Sequence, residues 1–513
     1  MVVQVAIVGA VFALPGTFVL LRTLQLGDEL VSTLRSSLAP LGRTMLLAVT
    51  VSATAAVLGT ALAWLLVRSD LPARNVLRIL VVLPLVLPSF VGAAAFLAAL
   101  ANGGVLHGAL SLFGVDPPRL RGFWPSWFVL SLFTYPYVFL PVAARLLALS
   151  PALEESARML GRSAVETFRD VTLPQLNRSI GSGALLVFLY TVSEFGAVQL
   201  LGYDTLTRVI FATRLSDRAT SFTASLLLIA LALVVVMLER SQHSHAEEAG
   251  PVRVHAIRPV KLRRWRAGAG SFVAVVCLFG LLVPIASLAT WAWRGIADGR
   301  VGFDGLLEAA WNTAGVGVLT AIVAVATVLP LAALLVRHRS RAGDIASIAV
   351  VAGFAVPGLV IALSLVFWTL NAPVFGVLYQ TLPLLIAAYV VHFGAQALGA
   401  GEDSIRAVPQ SMRESSRLLE PSKIRRLTTV DFPLMRPSLV SGGGLVLLST
   451  VKELPATLLL APTGFRTLAT EVWGSYEDGF YAEVGVGGLL LVALSAGLTW
   501  LLVLRRSDVI RQR

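Results

Sequence analysis

A single cysteine, Cys277, stands in 513 residues, so the chain can form neither an internal disulfide nor a cluster of thiolate metal ligands. Histidine is nearly as scarce: of six, only His243 and His245 are spaced like a metal pair, and they fall in a polar stretch that reads as a solvated linker. Charged residues make up 14% of the chain against 56% hydrophobic, with a mean hydropathy of +0.81, which excludes an ordinary soluble domain. No G-x-x-x-x-G-K-[ST] occurs, so the chain has no phosphate-cradling loop and no route through one to ATP hydrolysis. H-E-x-x-H, G-x-S-x-G and Cys-His zinc spacings are missing as well, which leaves an enzyme reading little support. Ser441-Gly442-Gly443-Gly444 lacks the phosphate-binding lysine and opens an apolar span, where small residues permit close helix packing.

What the chain has is long apolar runs. The first, about 2 to 21, lacks a basic leader and is long enough to span a bilayer, so it reads as a membrane helix and not a signal peptide. Further runs lie near 44–67, 76–101, 123–149, 179–202 and 221–238, then near 269–293, 310–336, 345–370, 373–398, 437–461 and 481–504. They predict an all-α polytopic membrane protein of about twelve spans, six in a first repeat (1–238) and six in a second (269–513), joined by a basic linker (239–268).

The repeat is legible residue by residue. Leu153 to Pro174, the one long polar amphipathic stretch of the first half, returns 259 positions later as Met412 to Pro433. Glu155 matches Glu414, Arg158 Arg417, Leu160 Leu419, Ser163 Ser422, Val165 Ile424, Phe168 Leu427 and Pro174 Pro433. Each copy, within inside loops 150–178 and 399–436, reads as two short helices. In the first, Gly161 makes the break, Ser163 and Glu166 have capping-box spacing, and Pro174 ends the second helix. In the second, Pro421 makes the break and Ser422 stands at the cap. Val165 with Phe168, and Ile424 with Leu427, put an i, i+3 apolar pair on an otherwise charged helix, which then needs a surface to dock on; lipid headgroups would be the plainest one.

Upstream the offset is 269. Thr44 recurs as Thr313, Leu65-Leu66-Val67-Arg68 as Leu334-Leu335-Val336-Arg337, and Pro88 as Pro357, so the first half has about ten extra residues, expected in the loop 102–122. Two halves of equal span number and orientation imply a pseudo-twofold axis along the membrane normal, with a solute path at their interface. Placing the termini, the linker and both polar loops inside puts most of the 41 lysines and arginines on that side. The net charge of +12 is then explained by anionic headgroups and requires no nucleic acid.

Glu155-Ser156-Ala157, Gly161 six positions after the glutamate, and Val171-x-Leu173-Pro174 resemble the EAA signature of ABC importer permeases, E-A-A-x3-G-x9-I-x-L-P. The second copy keeps Glu414 but has Glu420 for the glycine and Phe432 for the leucine. Val451-Lys452-Glu453-Leu454-Pro455-Ala456-Thr457 with Phe465-Arg466-Thr467-Leu468, and Glu194-Phe195-Gly196-Ala197-Val198 with Asp204-Thr205-Leu206-Thr207, are similar to fused permeases of the ferric-iron import family. The resemblance implies a type I importer fold in a bacterial inner membrane with both termini cytoplasmic. It also implies coupling helices carrying Glu155, Gly161, Ser163, Val165, Phe168, Glu414, Ser422, Ile424 and Leu427 that dock on two copies of a separate ATPase, which holds ATP and Mg2+. A periplasmic or lipid-anchored binding protein would deliver the cargo. The chain itself would need no cofactor and few metal ligands. Fused thiamine and phosphonate permeases share this architecture, and an ion-coupled secondary transporter is the rival from another class, though it would not need matched amphipathic helices in both halves.

Glu194 and Glu453 occupy equivalent places about 15 residues into the fifth span of each half. At about 1.5 Å per residue that lies in the outer half of a core about 30 Å thick, where a carboxylate is costly unless it faces protein or water. Two roles are open to them: a structural one, in which Glu453 pairs with a neighbouring arginine or caps the backbone freed by Pro455, or a functional one, lining the path near the pseudo-twofold axis and holding the outer gate or attracting a trivalent cation.

Overall fold

A computed structural model describes residues 2–117, 119–243, 259–299, 301–338, 340–372, 374–419 and 422–501. Among them every regular element is helical, and the one β pairing is an isolated bridge between Ser69 and Val260. Ten described helices are long and apolar enough to cross a membrane, eleven counting the bent pair Arg341–Ala355 and Gly358–Asn371, whose axes turn by 109°. The expectation of unbroken spans is corrected at two places in each half, and the breaks are what build the site.

The first break falls at the repeated proline. The expected span 76–101 is Arg74–Val82, a 3-10 turn Leu83–Val86, and then Ser89–Leu100. Pro84 and Pro88 remove backbone donors and fix φ, so a straight helix cannot pass through. Pro357 does the same at the bend before Gly358–Asn371. The second break ends the fifth helices: Leu173–Ser193 stops before Glu194 and resumes as Gly196–Leu200, while Phe432–Val451 stops before Lys452 and resumes as Pro455–Leu460. The ten extra residues of the first half do fall where expected, between Ser89–Leu100 and Phe123–Thr134, where Val105–Ser111 adds a short helix.

Small residues set the helix spacing. A Cβ added at Gly442 would stand 2.2 Å from the Ala400 Cβ, so the Ser-Gly-Gly-Gly run serves close packing. The repeat is not a spatial division, however. Val2–Leu24 packs on Arg341–Ala355 and Gly358–Asn371 of the second half. Its Phe12 fills space beside Gly353 and Gly394, where added Cβ atoms would stand 3.3 and 2.5 Å from the ring. In return the first helix of the second half, Arg266–Cys277 continued through a π turn (Leu278–Leu282) into Val283–Ala297, packs on Arg74–Val82 and Ser89–Leu100.

Arg218–His243 extends beyond the sequence-based limit at 238, and most of the linker, His245 included, lies outside the described residues. Its described end is docked to the first half: Val260 N–H donates to the Arg68 carbonyl at 2.8 Å, Asp70 N–H to the Val260 carbonyl at 3.1 Å, and Leu262 N–H to Asp70 Oδ1 at 2.9 Å.

Candidate translocation site

Residues at the four breaks meet around a cavity of about 360 Å³ between the halves. Its walls include Ser89, Tyr190, Glu194, His392, Gln396 and Ser449 besides Lys452 and Glu453. Thus the two carboxylates expected near the pseudo-twofold axis do share one cavity. Each also caps the helix that restarts after its break. Glu194 Oε1 accepts from the Ala197 N–H at 2.8 Å, and Glu453 Oε1 accepts from the Ala456 N–H at 3.1 Å. A helix start leaves donors without intrahelical partners, and in an apolar setting each must be met. Capping and lining the cavity are therefore compatible, because each cap bond engages one carboxylate oxygen of a residue that also stands in the cavity wall.

The halves differ in detail. Ser89 Oγ donates to Glu194 Oε2 at 2.8 Å. At the equivalent position of the second half stands Gly358, and a Cβ there would lie 2.5 Å from Glu453 Oε1, so the absent side chain makes room for the carboxylate. Lys452, equivalent to Ser193, donates from Nζ to the Leu85 carbonyl of the opposite half at 3.1 Å. Among the described residues neither carboxylate is ion-paired. Beside the cavity, Phe195 reaches across the halves to Trp473, ring centroids 5.6 Å apart, and Phe90 approaches the same indole at 6.4 Å.

The recurrence of Thr44 and Thr313 gains a cause. Thr44 Oγ1 accepts from the Leu206 N–H at 2.9 Å and Thr313 Oγ1 from the Leu468 N–H at 2.7 Å. Each hydroxyl ties a long helix to the start of the helix beyond the fifth-span break, and so fixes the break from behind.

The two polar loops lie at the opposite ends of the fifth helices from these breaks. Pro151–Met159 and Ala164–Thr167 are the expected pair of short helices, broken at Gly161, whose φ of +85° is left-handed. The capping box forms: Ser163 N–H donates to Glu166 Oε2 at 2.7 Å and Glu166 N–H to Ser163 Oγ at 3.3 Å. The Ser163 backbone N–H, and after it the Ser163 hydroxyl, hold the Glu166 carboxyl below its ordinary range. Arg162 and Asp170 form an ion pair beside the box. Glu154, next to Glu155, receives the Thr172 hydroxyl at 3.0 Å and faces the buried Arg68 guanidinium at 3.5 Å, which anchors the loop to the end of Glu29–Arg68. Glu155 itself is exposed.

Pro174 does not end the second short helix, as the sequence suggested. Phe168–Thr172 and Leu427–Asp431 are π turns that carry each short helix directly into its fifth span. The wider turn takes in a residue that cannot donate, so Pro174 and Pro433 stand in the first turn of helices that continue. In the second loop, Gln410–Leu419 and Lys423–Arg426 flank Glu420 and Pro421, which lie outside the described residues. Arg425 N–H donates to the Ser422 hydroxyl at 3.4 Å, and exposed Glu414 accepts from Gln410 at 2.9 Å. Val165 and Ile424 are 76% and 78% exposed and Leu427 52%, whereas Phe168 is half-buried against Trp64 with ring centroids 5.9 Å apart. The matched pairs are thus equivalent at their first member only.

Ser89, Lys452, His392 and Gln396 were not singled out by sequence reasoning. Ser89 had one signal, its place directly after the repeated Pro88.

Comparison with known proteins fits this geometry. The chain is 30% identical over 501 residues to the Fe(3+)-transport system permease protein FbpB 2 of Haemophilus influenzae, covering 96% of this chain and 95% of that protein. It is 22% identical over 454 residues to the ferric transport system permease protein FbpB of Actinobacillus pleuropneumoniae, covering 82% of this chain and 64% of that one. It is also 33% identical over 156 residues to the sulfate transport system permease protein CysT of Salmonella typhimurium, covering 30% and 55%. The family described as binding-protein-dependent transport system inner membrane component matches twice, at residues 55–242 and 317–507, once in each half. A duplicated helical chain whose breaks meet at a cavity between its halves is thereby placed: it belongs to the binding-protein-dependent transport system inner membrane components, as a fused permease of two repeats.

Proposed function

We propose that the chain carries ferric iron inward across the cytoplasmic membrane, driven by a separate ATPase. The observation that supports this most is similarity to a ferric permease along nearly the whole of both chains. The sulfate permeases match only about a third of the chain, and the cavity holds two carboxylates against one lysine, which suits a cation better than an oxyanion.

In this reading a binding protein outside delivers the iron, and the polar loops and both termini face the cytoplasm. Two ATPase subunits, holding ATP and Mg2+, dock on the loops around Val165 and Ile424. ATP-driven closure of the ATPase pair would move the two loops, and the directly continuous helices Leu173–Ser193 and Phe432–Val451 would transmit that movement to Glu194 and Glu453. Bond-for-bond continuity through the π turns is what makes that transmission mechanical.

The test is reconstitution in proteoliposomes with the cognate ATPase and binding protein. Uptake of Fe3+ that requires ATP and the loaded binding protein is the expected result. A binding protein that holds sulfate, thiamine or a phosphonate and ignores ferric iron would overturn the cargo, and uptake driven by an ion gradient without ATP would overturn the coupling.

A further inference from the structure

Lys452 is the one lysine at the cavity, and it sits next in sequence to Glu453. Its ammonium does not pair with either carboxylate. It is instead held by the Leu85 carbonyl of the opposite half at 3.1 Å. Leu85 belongs to the 3-10 turn that leads to Pro88, and Ser89 beyond it donates to Glu194. One short segment of the first half therefore touches both the lysine of the second half and the carboxylate of its own.

A site made of two carboxylates in a low-dielectric enclosure attracts a multivalent cation strongly, because the interaction scales with the product of the charges. Transport requires the opposite property too: a cargo must be able to leave. Lysine is suited to supply that, being a compact cation on a flexible four-carbon stem, and Lys452 already opens on the same cavity as the two acids.

We propose that Lys452 is a built-in displacing cation. While the halves are together its ammonium is parked on the Leu85 carbonyl, leaving Glu194 and Glu453 to the cargo. When the halves move apart the bond to Leu85 is lost, and the ammonium swings to the carboxylates and takes the place of the departing cation. Because the latch spans the halves, release is tied to their movement. The first half has Ser193 at this position, so a single lysine serves both acids. The inference rests on the reading of the chain as a cation importer.

The experiment uses the intact importer with its ATPase and binding protein in proteoliposomes, supplied with radioactive Fe3+. Iron remaining on the washed permease after ATP turnover is counted for wild type, Lys452→Met, Lys452→Arg and Lys452→Met with Glu453→Gln. Lys452→Met should retain at least tenfold more iron than wild type, Lys452→Arg should restore release, and removing the Glu453 charge should abolish the retention. If Lys452→Met does not assemble, Lys452→Gln carries the same expectation. Retention at the wild-type level in the uncharged variant, whether delivery is normal or lost, would overturn the proposal and leave Lys452 a structural latch. Failure of wild type to deliver iron would instead overturn the cargo reading, so the two failures are distinct.

Discussion

Ser89 donates its hydroxyl to Glu194 at 2.8 Å, whereas the position that corresponds to Ser89 in the second half is Gly358, which meets Glu453 with bare backbone. Duplicated halves have thus kept the carboxylate and changed its partner. The carboxylate, with its cap bond to Ala197 or Ala456, is the common element, and its second partner is not. Glutamine can still accept from Ala197 or Ala456, so it preserves each cap while removing the negative charge. Glu194→Gln combined with Glu453→Gln should lower iron uptake more than tenfold with the thermal midpoint of the purified permease within a few degrees of wild type. A double variant that transports normally would reduce both residues to helix caps.

In the proposed coupling Val165 and Ile424, which are exposed to nearly the same extent, would form the docking face. Val165→Asp with Ile424→Asp should insert in the membrane normally and fail to capture the ATPase, since docking would bury unpaired charge. Phe168→Ala should act differently, by removing the contact with Trp64 and loosening the first loop before any partner arrives. Pull-down of the ATPase beside a melting curve separates the two effects, and full ATPase recovery by the Val165 and Ile424 pair would relocate the docking face.

Gly161 has open space around it but a left-handed backbone. Gly161→Ala should cost about 1–2 kcal/mol locally through strain alone and weaken ATPase binding without a packing defect. The adjacent capping box gives a pH signature. Its stabilisation is fully present above the ordinary carboxylate value of 4.5 and is lost as pH falls through the lowered value in the folded loop. ATPase affinity should therefore be insensitive to this group between pH 6 and 8, and Glu166→Gln should not introduce a titration there. A step in affinity near neutrality that vanishes in Glu166→Gln would contradict the assignment.

Thr44→Val and Thr313→Val each leave a buried N–H without its acceptor, at Leu206 and Leu468 respectively. Each should cost about 1–3 kcal/mol. The two sites lie in different halves and share no partner, so the double variant should be close to additive in a denaturation series. A loss at one site alone would show that the symmetric bond has unequal weight.

Much of this fold was legible because lipid imposes simple rules: spans must be apolar and helical, and repeats keep their spacing. Gly161, Ser163 and Glu166 could be placed from backbone preference and capping alone, since what fixes them is local in sequence. Pro174 was misread for a physical reason. Its effect depends on whether the preceding turn widens, and a π turn leaves no mark in residue type. Phe168 was misassigned to an exposed face because Trp64, its partner, lies about a hundred residues away. Lys452 stood in a quoted motif, but its meaning depends on Leu85, a carbonyl contact across the halves that any residue type could supply.

The exchange of first helices has a consequence for how the protein is made. Val2–Leu24 leaves the ribosome first, yet the helix it packs on, Arg341–Ala355, is completed more than three hundred residues later. At about 5–20 residues per second that is a wait on the order of tens of seconds. During that wait Val5, Val8 and Phe12, which end buried between helices, must be sheltered by lipid or by an insertion chaperone. The first-half bundle can therefore be complete only once Val283–Ala297 has been made, and the second-half bundle only once Tyr481–Thr499 has followed.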